Sequence, residues 1–225
     1  MILIPENITS FLSKSWKKKY ALFLHPEHWN FFLKQLEFYL NNEISDNRIP
    51  YFFEEITPPI SEIIFEMKTI YQKELKTEKN SAKAWVKVFE NIRFEYLLII
   101  HGQRLTSASI TDENAIPPLK SVLLNSCFEP FNKQIFIATR AWEKHVGRSN
   151  DQFWGEIKGN PTQKNAFVQK KITEMIENKS WWNIFFHYKH ELVYEIRVAS
   201  GHGIRWNKEG TIIIGFLEPF INDDN

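Results

Sequence analysis

The stretch Trp182-Asn-Ile-Phe-Phe-His-Tyr-Lys-His-Glu-Leu-Val-Tyr-Glu-Ile-Arg-Val-Ala-Ser-Gly-His-Gly203 decides how the C-terminal part of this chain is read. Phe185, Tyr188, Leu192, Ile196 and Ala199 fall at helical offsets, and Gly201 and Gly203 follow as stops. The spacing therefore predicts a last long helix over about 182–200. Ile204–Trp206 and Thr211–Leu217, flanking Asn207-Lys-Glu-Gly210, predict a short hairpin after it.

Working outward, the same periodicity predicts helices upstream. Thr162, after Pro161, is the expected cap of a helix that carries Phe167, Val168, Ile172, Met175 and Ile176 on one side and runs to about Asn178. Ile135, Phe136, Thr139, Trp142, His145 and Val146 give another, ending near Gly147. Ser81 is the expected cap of a helix whose stripe is Trp85, Val88, Phe89, Ile92, Tyr96 and Ile99. Thr57-Pro58-Pro59 opens a helix to about Lys76, and Pro26 opens one over 26–42. From His101 to Pro118 the pattern breaks into small and polar residues, which predicts a long loop. Residues 222–225 are expected to fray.

Composition agrees with a helical protein. Apolar residues make up 43% of the 225, with 19 Phe and 8 Trp, enough for a large core. Only 8 Gly are present, too few for a turn-rich all-β fold. The expected fold class is mainly α, a helical bundle with a short C-terminal β-hairpin, in one domain over 1–225.

Lys and Arg total 28 against 27 Asp and Glu, so no whole-surface field attracts nucleic acid, and any such contact must be local. The one cysteine, Cys127, excludes an internal disulfide and a cysteine-based zinc site. Its environment is expected to be a buried apolar one. No stretch nears the roughly 18 apolar residues of a membrane span. Residues before Glu6 carry no basic leader or signal-length apolar run, so a cytoplasmic location and no membrane contact are expected. Phosphate-loop, dinucleotide and nucleophile-elbow motifs are missing.

Chemistry is signalled by Arg197, five positions before His202, with glycines on both sides of the histidine. This segment resembles the Arg-x4-6-His motif of the HEPN superfamily, helical-bundle domains that include many RNases of toxin and defence systems. The resemblance implies a homodimer through the motif helices, over about 162–203, with two Arg and two His around one RNA phosphate. It implies metal-independent cleavage through the ribose 2′-hydroxyl, with no cofactor. His202 would be the acid/base, because imidazole titrates near neutral pH. Arg197 would hold phosphate oxygens with its planar fork, and Glu195 would orient one of them.

A second match, Arg140-Ala-Trp-Glu-Lys-His145, has the same spacing inside a predicted helix. Val198 stands where catalytic members commonly carry a polar residue. The alternative is therefore a catalytically silent module that binds a protein or RNA partner through the same surface. A third option is a metal-dependent bundle enzyme, because His187, Glu191 and Glu195 fall at i, i+4 and i+8 on the predicted helix.

Elsewhere, His25 and His28 flank the start of a helix and suit capping. Ser15-Trp-Lys-Lys-Lys-Tyr20 interleaves aromatics with positive charge, a pattern of solvated helix faces that also suits base stacking. Trp181 and Trp182 are expected as core or interface anchors.

Overall fold

A computed structural model describes residues 2–51, 54–149 and 151–220; the expected fraying of 222–225 lies outside the described residues. The chain divides into two compact units, one of 1–47, 56–104 and 110–116, the other of 48–55, 105–109 and 117–225. No described helix is long and apolar enough to cross a membrane.

The first unit is helical: α1 (Ile8–Phe11), α2 (Lys14–Lys19), α3 (Pro26–Asn41), α4 (Ile60–Glu78), α5 (Ser81–Asn91) and α6 (Phe94–Ile100). Pro26 supplies the first residue of α3, and the His25 ring accepts the backbone N–H of Glu27 at 3.3 Å. Asn80, one residue before the expected cap, closes the start of α5 by accepting from Lys83 N at 3.0 Å. The single helix expected from Ser81 to about Ile99 breaks at Ile92, whose backbone is extended. The break lets Phe94 stack on Tyr20 at 3.9 Å and meet Phe23 edge-on at 5.3 Å. In the Ser15–Tyr20 run, Trp16 is buried and Lys19 pairs with Glu113 at 3.4 Å.

Among its described residues the second unit combines three helices with an antiparallel sheet. Its helices are α7 (Lys120–Phe128), α8 (Ile137–Val146) and α9 (Pro161–Glu177), with a 3₁₀ turn at Gln152–Trp154 between the last two. The α7 residues carry no one-sided apolar stripe in the sequence. Asn160, rather than Thr162, caps α9, in a reciprocal capping box with Gln163. The strands are β1 (Trp181–His187), β2 (His190–Arg197), β3 (Gly203–Asn207) and β4 (Ile213–Leu217), ordered β1-β2-β3-β4.

The chain is thus mainly helical with a C-terminal antiparallel sheet. The expected β3–β4 hairpin is present, but the helix expected over 182–200 is the hairpin β1–β2, turning at Tyr188-Lys189. The residues explain the outcome. Trp182 pairs with Ile196, Ile184 with Tyr194, Ile204 with Ile196 and Trp206 with Tyr194, so every second residue builds one fully buried apolar face. A helix would instead have buried Tyr188, which is 86% exposed, and turned Glu195 outward, whereas Glu195 is buried. β-branched and aromatic side chains favour the pleated arrangement. Trp181 and Trp182 are core residues, as expected, and the Trp181 indole donates to the Pro50 carbonyl at 2.8 Å. Cys127 is fully buried, and burial pushes its thiol up to about 12.

The strand pair β2–β3 is tight at one point. A Cβ on Gly203 would lie 2.4 Å from the Ile196 carbonyl oxygen and 2.7 Å from Arg197 Cδ, whereas one on Gly215 would meet nothing within 4 Å. We therefore expect Gly203→Ala to cost about 1–3 kcal/mol of stability through overpacking. Gly215→Ala should be nearly neutral. Urea unfolding of both variants beside the wild type measures the difference.

Candidate active site

Strand β2 places Glu195 and Arg197 on the sheet face opposite the apolar one, and β3 adds Arg205 directly across from Glu195. All three interact. Arg197 Nε donates to Glu195 Oε1 at 2.6 Å, and Arg205 donates to Glu195 Oε2 from Nε at 2.9 Å and from Nη2 at 2.5 Å. Both carboxylate oxygens are consumed, which is what a buried Glu requires. Arg197 Nη1 donates further to the carbonyls of Gly201 at 2.8 Å and Glu218 at 2.6 Å, and its guanidinium lies 4.3 Å from the Phe220 ring centroid. Arg197 thus draws together the end of β2, the turn after it and the residue that follows β4.

That turn presents His202. Gly201, at φ +88°, allows the chain to fold back, with Val198 N donating to the His202 carbonyl at 2.9 Å. The His202 imidazole is buried and ringed by polar partners. Nδ1 lies 3.0 Å from the Ser200 hydroxyl, and Nε2 lies 2.7 Å from Asp151 Oδ2 and 3.5 Å from Glu218 Oε2. With the proton on Nε2, the ring donates to Asp151 and accepts from Ser200.

Its face stacks on Phe153 at 3.7 Å and 4°, and Lys171 Nζ lies 3.5 Å from the same Phe153 centroid. One face of the phenyl ring cannot hold both, so Phe153 is held between Lys171 and His202. Burial pushes the Lys171 ammonium below its ordinary value.

Glu218 joins a second histidine to the first. Its Oε1 accepts from the Trp154 indole at 3.2 Å and lies 2.9 Å from His145 Nε2, while Oε2 faces His202. Both imidazoles also lean against Trp154, at 4.9 and 5.5 Å. Burial pushes the Glu218 carboxyl up, but hydrogen bonds from Ser149, Trp154 and His145 outweigh it and hold the group below its usual value. Asp151 is held low by the Phe153 N–H, which it caps at 2.7 Å, and then by His202. One ligand atom each from Asp151, His202 and Glu218 lie within 4.8 Å of one another, a donor set that could hold a divalent cation.

His145 also opens onto a cleft of about 400 Å³ between α8 and β4, whose charged lining residues are Arg140, Lys144 and Arg148. Two imidazoles, two carboxylates and a cationic cleft can move protons at an anionic substrate.

Of the residues singled out in the sequence, Arg197, Glu195 and His202 come together, with Arg197 and His202 meeting at the backbone and side chain of Glu218. His145, from the second spacing match, arrives at the same carboxylate. Asp151, Ser200, Phe153, Trp154 and Glu218 were not foreseen. Asp151 lies 51 positions from His202 and no spacing rule links them.

The proposed metal trio does not form. His187 stacks on His190 at 5.3 Å at the hairpin tip, Glu191 is exposed, and Glu195 is locked between arginines. Nor is there a motif helix: Arg197 ends a strand, and the helix through which a homodimer is expected is the hairpin β1–β2.

Comparison with known proteins agrees with this correction. Residues 124–218 match the family model of the CdiA C-terminal tRNase toxin domain, not a HEPN family. A solved structure of the toxic C-terminal tip of CdiA from Pseudomonas aeruginosa, in complex with immune protein, is 25% identical; the alignment covers 42% of this chain and 99% of that one, with a TM-score of 0.36. No curated protein matches the chain. The matched span contains Arg140, His145, Asp151, Glu195, Arg197, His202, Arg205 and Glu218, and ends on the last of these.

The two depressed carboxyls set an acid dependence. The ordinary values are 3.8 for Asp and 4.5 for Glu, and in the folded chain both groups titrate lower. The unfolded chain therefore takes up these protons first. Their contribution is fully present above the ordinary values and is lost as pH falls through the folded ones. Asp151→Asn should lower the urea midpoint near neutrality and flatten its fall between about pH 5 and pH 3. An unchanged acid slope would remove Asp151 from this account.

Proposed function

We propose that residues 124–218 form a toxin-type ribonuclease acting on RNA, tRNA in particular, in a cytoplasm. The observation that carries the reading is one carboxylate, Glu218, shared by two imidazoles beside a cleft whose charged lining is cationic. The family match supports the toxin and tRNA elements, since it spans every residue of this site. A protein partner, expected from the sequence, stays part of the proposal.

The chemistry needs one proton acceptor and one donor. The ribose 2′-oxygen attacks the adjacent phosphorus, the bond to the 5′-oxygen breaks, and a 2′,3′-cyclic phosphate and a 5′-hydroxyl result. His145, with its Nε2–H on Glu218, presents Nδ1 as the base for the 2′-hydroxyl proton. Protonated His202, buried with Nε2 held by Asp151, returns its Nδ1 proton to the departing oxygen by way of the exposed Ser200 hydroxyl, and the charge it carries sits between Asp151 and Glu218. Glu218 orients both rings. Arg197 and Glu195 are positioning residues, because Arg197 Nε and Nη1 are committed to Glu195, Gly201 and Glu218.

A second reading follows from the ligand set of Asp151, His202 and Glu218, in which a bound divalent cation activates the nucleophile. The two differ in EDTA.

We expect the full chain to cleave tRNA in EDTA, leaving a cyclic phosphate. His202→Ala and His145→Ala should each slow cleavage by about 10²–10⁴-fold, the usual worth of one proton-transfer group. Glu195→Gln should act through stability first. Cleavage that appears only on adding Mg²⁺ or Mn²⁺ favours the cation reading. Folded protein inactive on RNA under both conditions leaves the silent binding module.

A further inference from the structure

The cleft beside His145 carries an arrangement that proton transfer does not use. Arg140, Lys144 and Arg148 follow one another at intervals of four residues along α8 and just past its end at Val146. At a rise of about 1.5 Å per residue, successive side chains are about 6 Å apart along one helix face. That step is close to the separation of successive phosphates along an extended nucleic-acid strand.

Among the described residues that line the cleft none is a carboxylate, and Glu218 reaches only its lining residue His145. Glu143, the nearest acid on the helix, reaches Arg140 at 3.7 Å and is itself engaged by Lys164 at 2.9 Å. A pair of that length at a 43% exposed arginine is weak and leaves Arg140 able to turn into the cleft.

The other lining groups suit the same ligand. Phe131 is 54% exposed, with the Arg140 guanidinium 6.0 Å from its centroid, so a base can stack there beside a cation. Gly215 lies across the cleft on β4, where a side chain would meet no atom within 4 Å. The surface is therefore open on that side, and a backbone can approach it closely. Complementing the dipole at the C-terminus of α8 accounts for Lys144 but not for the aromatic wall or the open strand opposite.

We infer that Arg140, Lys144 and Arg148 form a subsite for two or three consecutive RNA backbone phosphates flanking the scissile one, with a base stacked on Phe131. The inference rests on the ribonuclease reading for its substrate, and adds where the strand lies: along α8, entering the site past His145.

The test uses the full chain and two probes. One is a single-stranded RNA fully 2′-O-methylated, which cannot be cut, followed by fluorescence anisotropy over a range of salt. The other is steady-state cleavage of unmodified RNA. The triple variant Arg140→Ala/Lys144→Ala/Arg148→Ala should weaken binding about 10–100-fold at low salt. It should also make the log–log salt slope shallower by about 2, at roughly 0.7 per phosphate lost on a single strand. KM should rise with kcat within about threefold, and circular dichroism and thermal melting should match the wild type.

Gly215→Glu, whose Cβ would meet nothing within 4 Å, adds a carboxylate at the cleft and should weaken binding in the same direction. Unchanged affinity and slope in both variants overturn the subsite, as does a fall in kcat with unchanged KM. Wild type that cleaves RNA while the triple variant is indistinguishable from it defeats this inference alone. Wild type that binds the methylated RNA through these residues but cuts nothing defeats the ribonuclease reading and leaves the subsite standing.

Discussion

One guanidinium ties the second unit's functional end together. Arg197 reaches Glu195 through Nε and the carbonyls of Gly201 and Glu218 through Nη1. Those three points belong to a strand, to the turn carrying His202 and to the segment after the last strand. The arginine is almost wholly buried, and a buried charge tolerates no missing partner; breaking such a set by removing one member typically costs about 3–5 kcal/mol. The absence of a Cβ at Gly203 belongs to the same constraint, since Arg197 Cδ occupies the space that a Cβ would need.

Around this anchor the polar groups divide by depth. Glu195, Arg197 and His202 are buried, whereas Asp151 and Glu218 are more than a third exposed in their side chains. The imidazole is thus held from beneath by the sheet and addressed from above by carboxylates in contact with water. Phe153 excludes solvent from one face of His202, with Lys171 as its far support. A 3₁₀ turn capped by Asp151 itself supplies both Phe153 and Trp154, so one short segment provides a carboxylate, a stacking ring and an indole donor.

Much of the helical framework was legible in the sequence, because α3, α4, α5, α8 and α9 carry stripes of period 3.6 bounded by Pro, Asn or Gly. The hairpin β1–β2 was not. Its apolar residues are so dense that Phe185, Leu192 and Ile196 satisfy helical offsets while Trp182, Ile184, Tyr194 and Ile196 satisfy alternation. The density of β-branched and aromatic residues, not the period, carried the strand signal.

The site was half legible for a related reason. Arg197, Glu195 and His202 are neighbours along the chain, so the Arg–His pair is visible in the sequence. Glu195 and Arg197 lie on β2 and His202 in the turn after it, not at the end of a HEPN helix. Asp151 caps a 3₁₀ turn and Glu218 follows β4, and tertiary structure alone brings them to His202. His145 was visible only as a spacing coincidence, yet it stands at the same carboxylate.

Glu218 serves two rings with one carboxylate, giving each a single oxygen. The two imidazoles are consequently not independent elements: whatever occupies or displaces that side chain alters both at once. A single cationic group delivered from solvent to a position 39% exposed would compete with both histidines for their common acceptor. The architecture that economises on acidic groups thereby concentrates its vulnerability at one accessible residue.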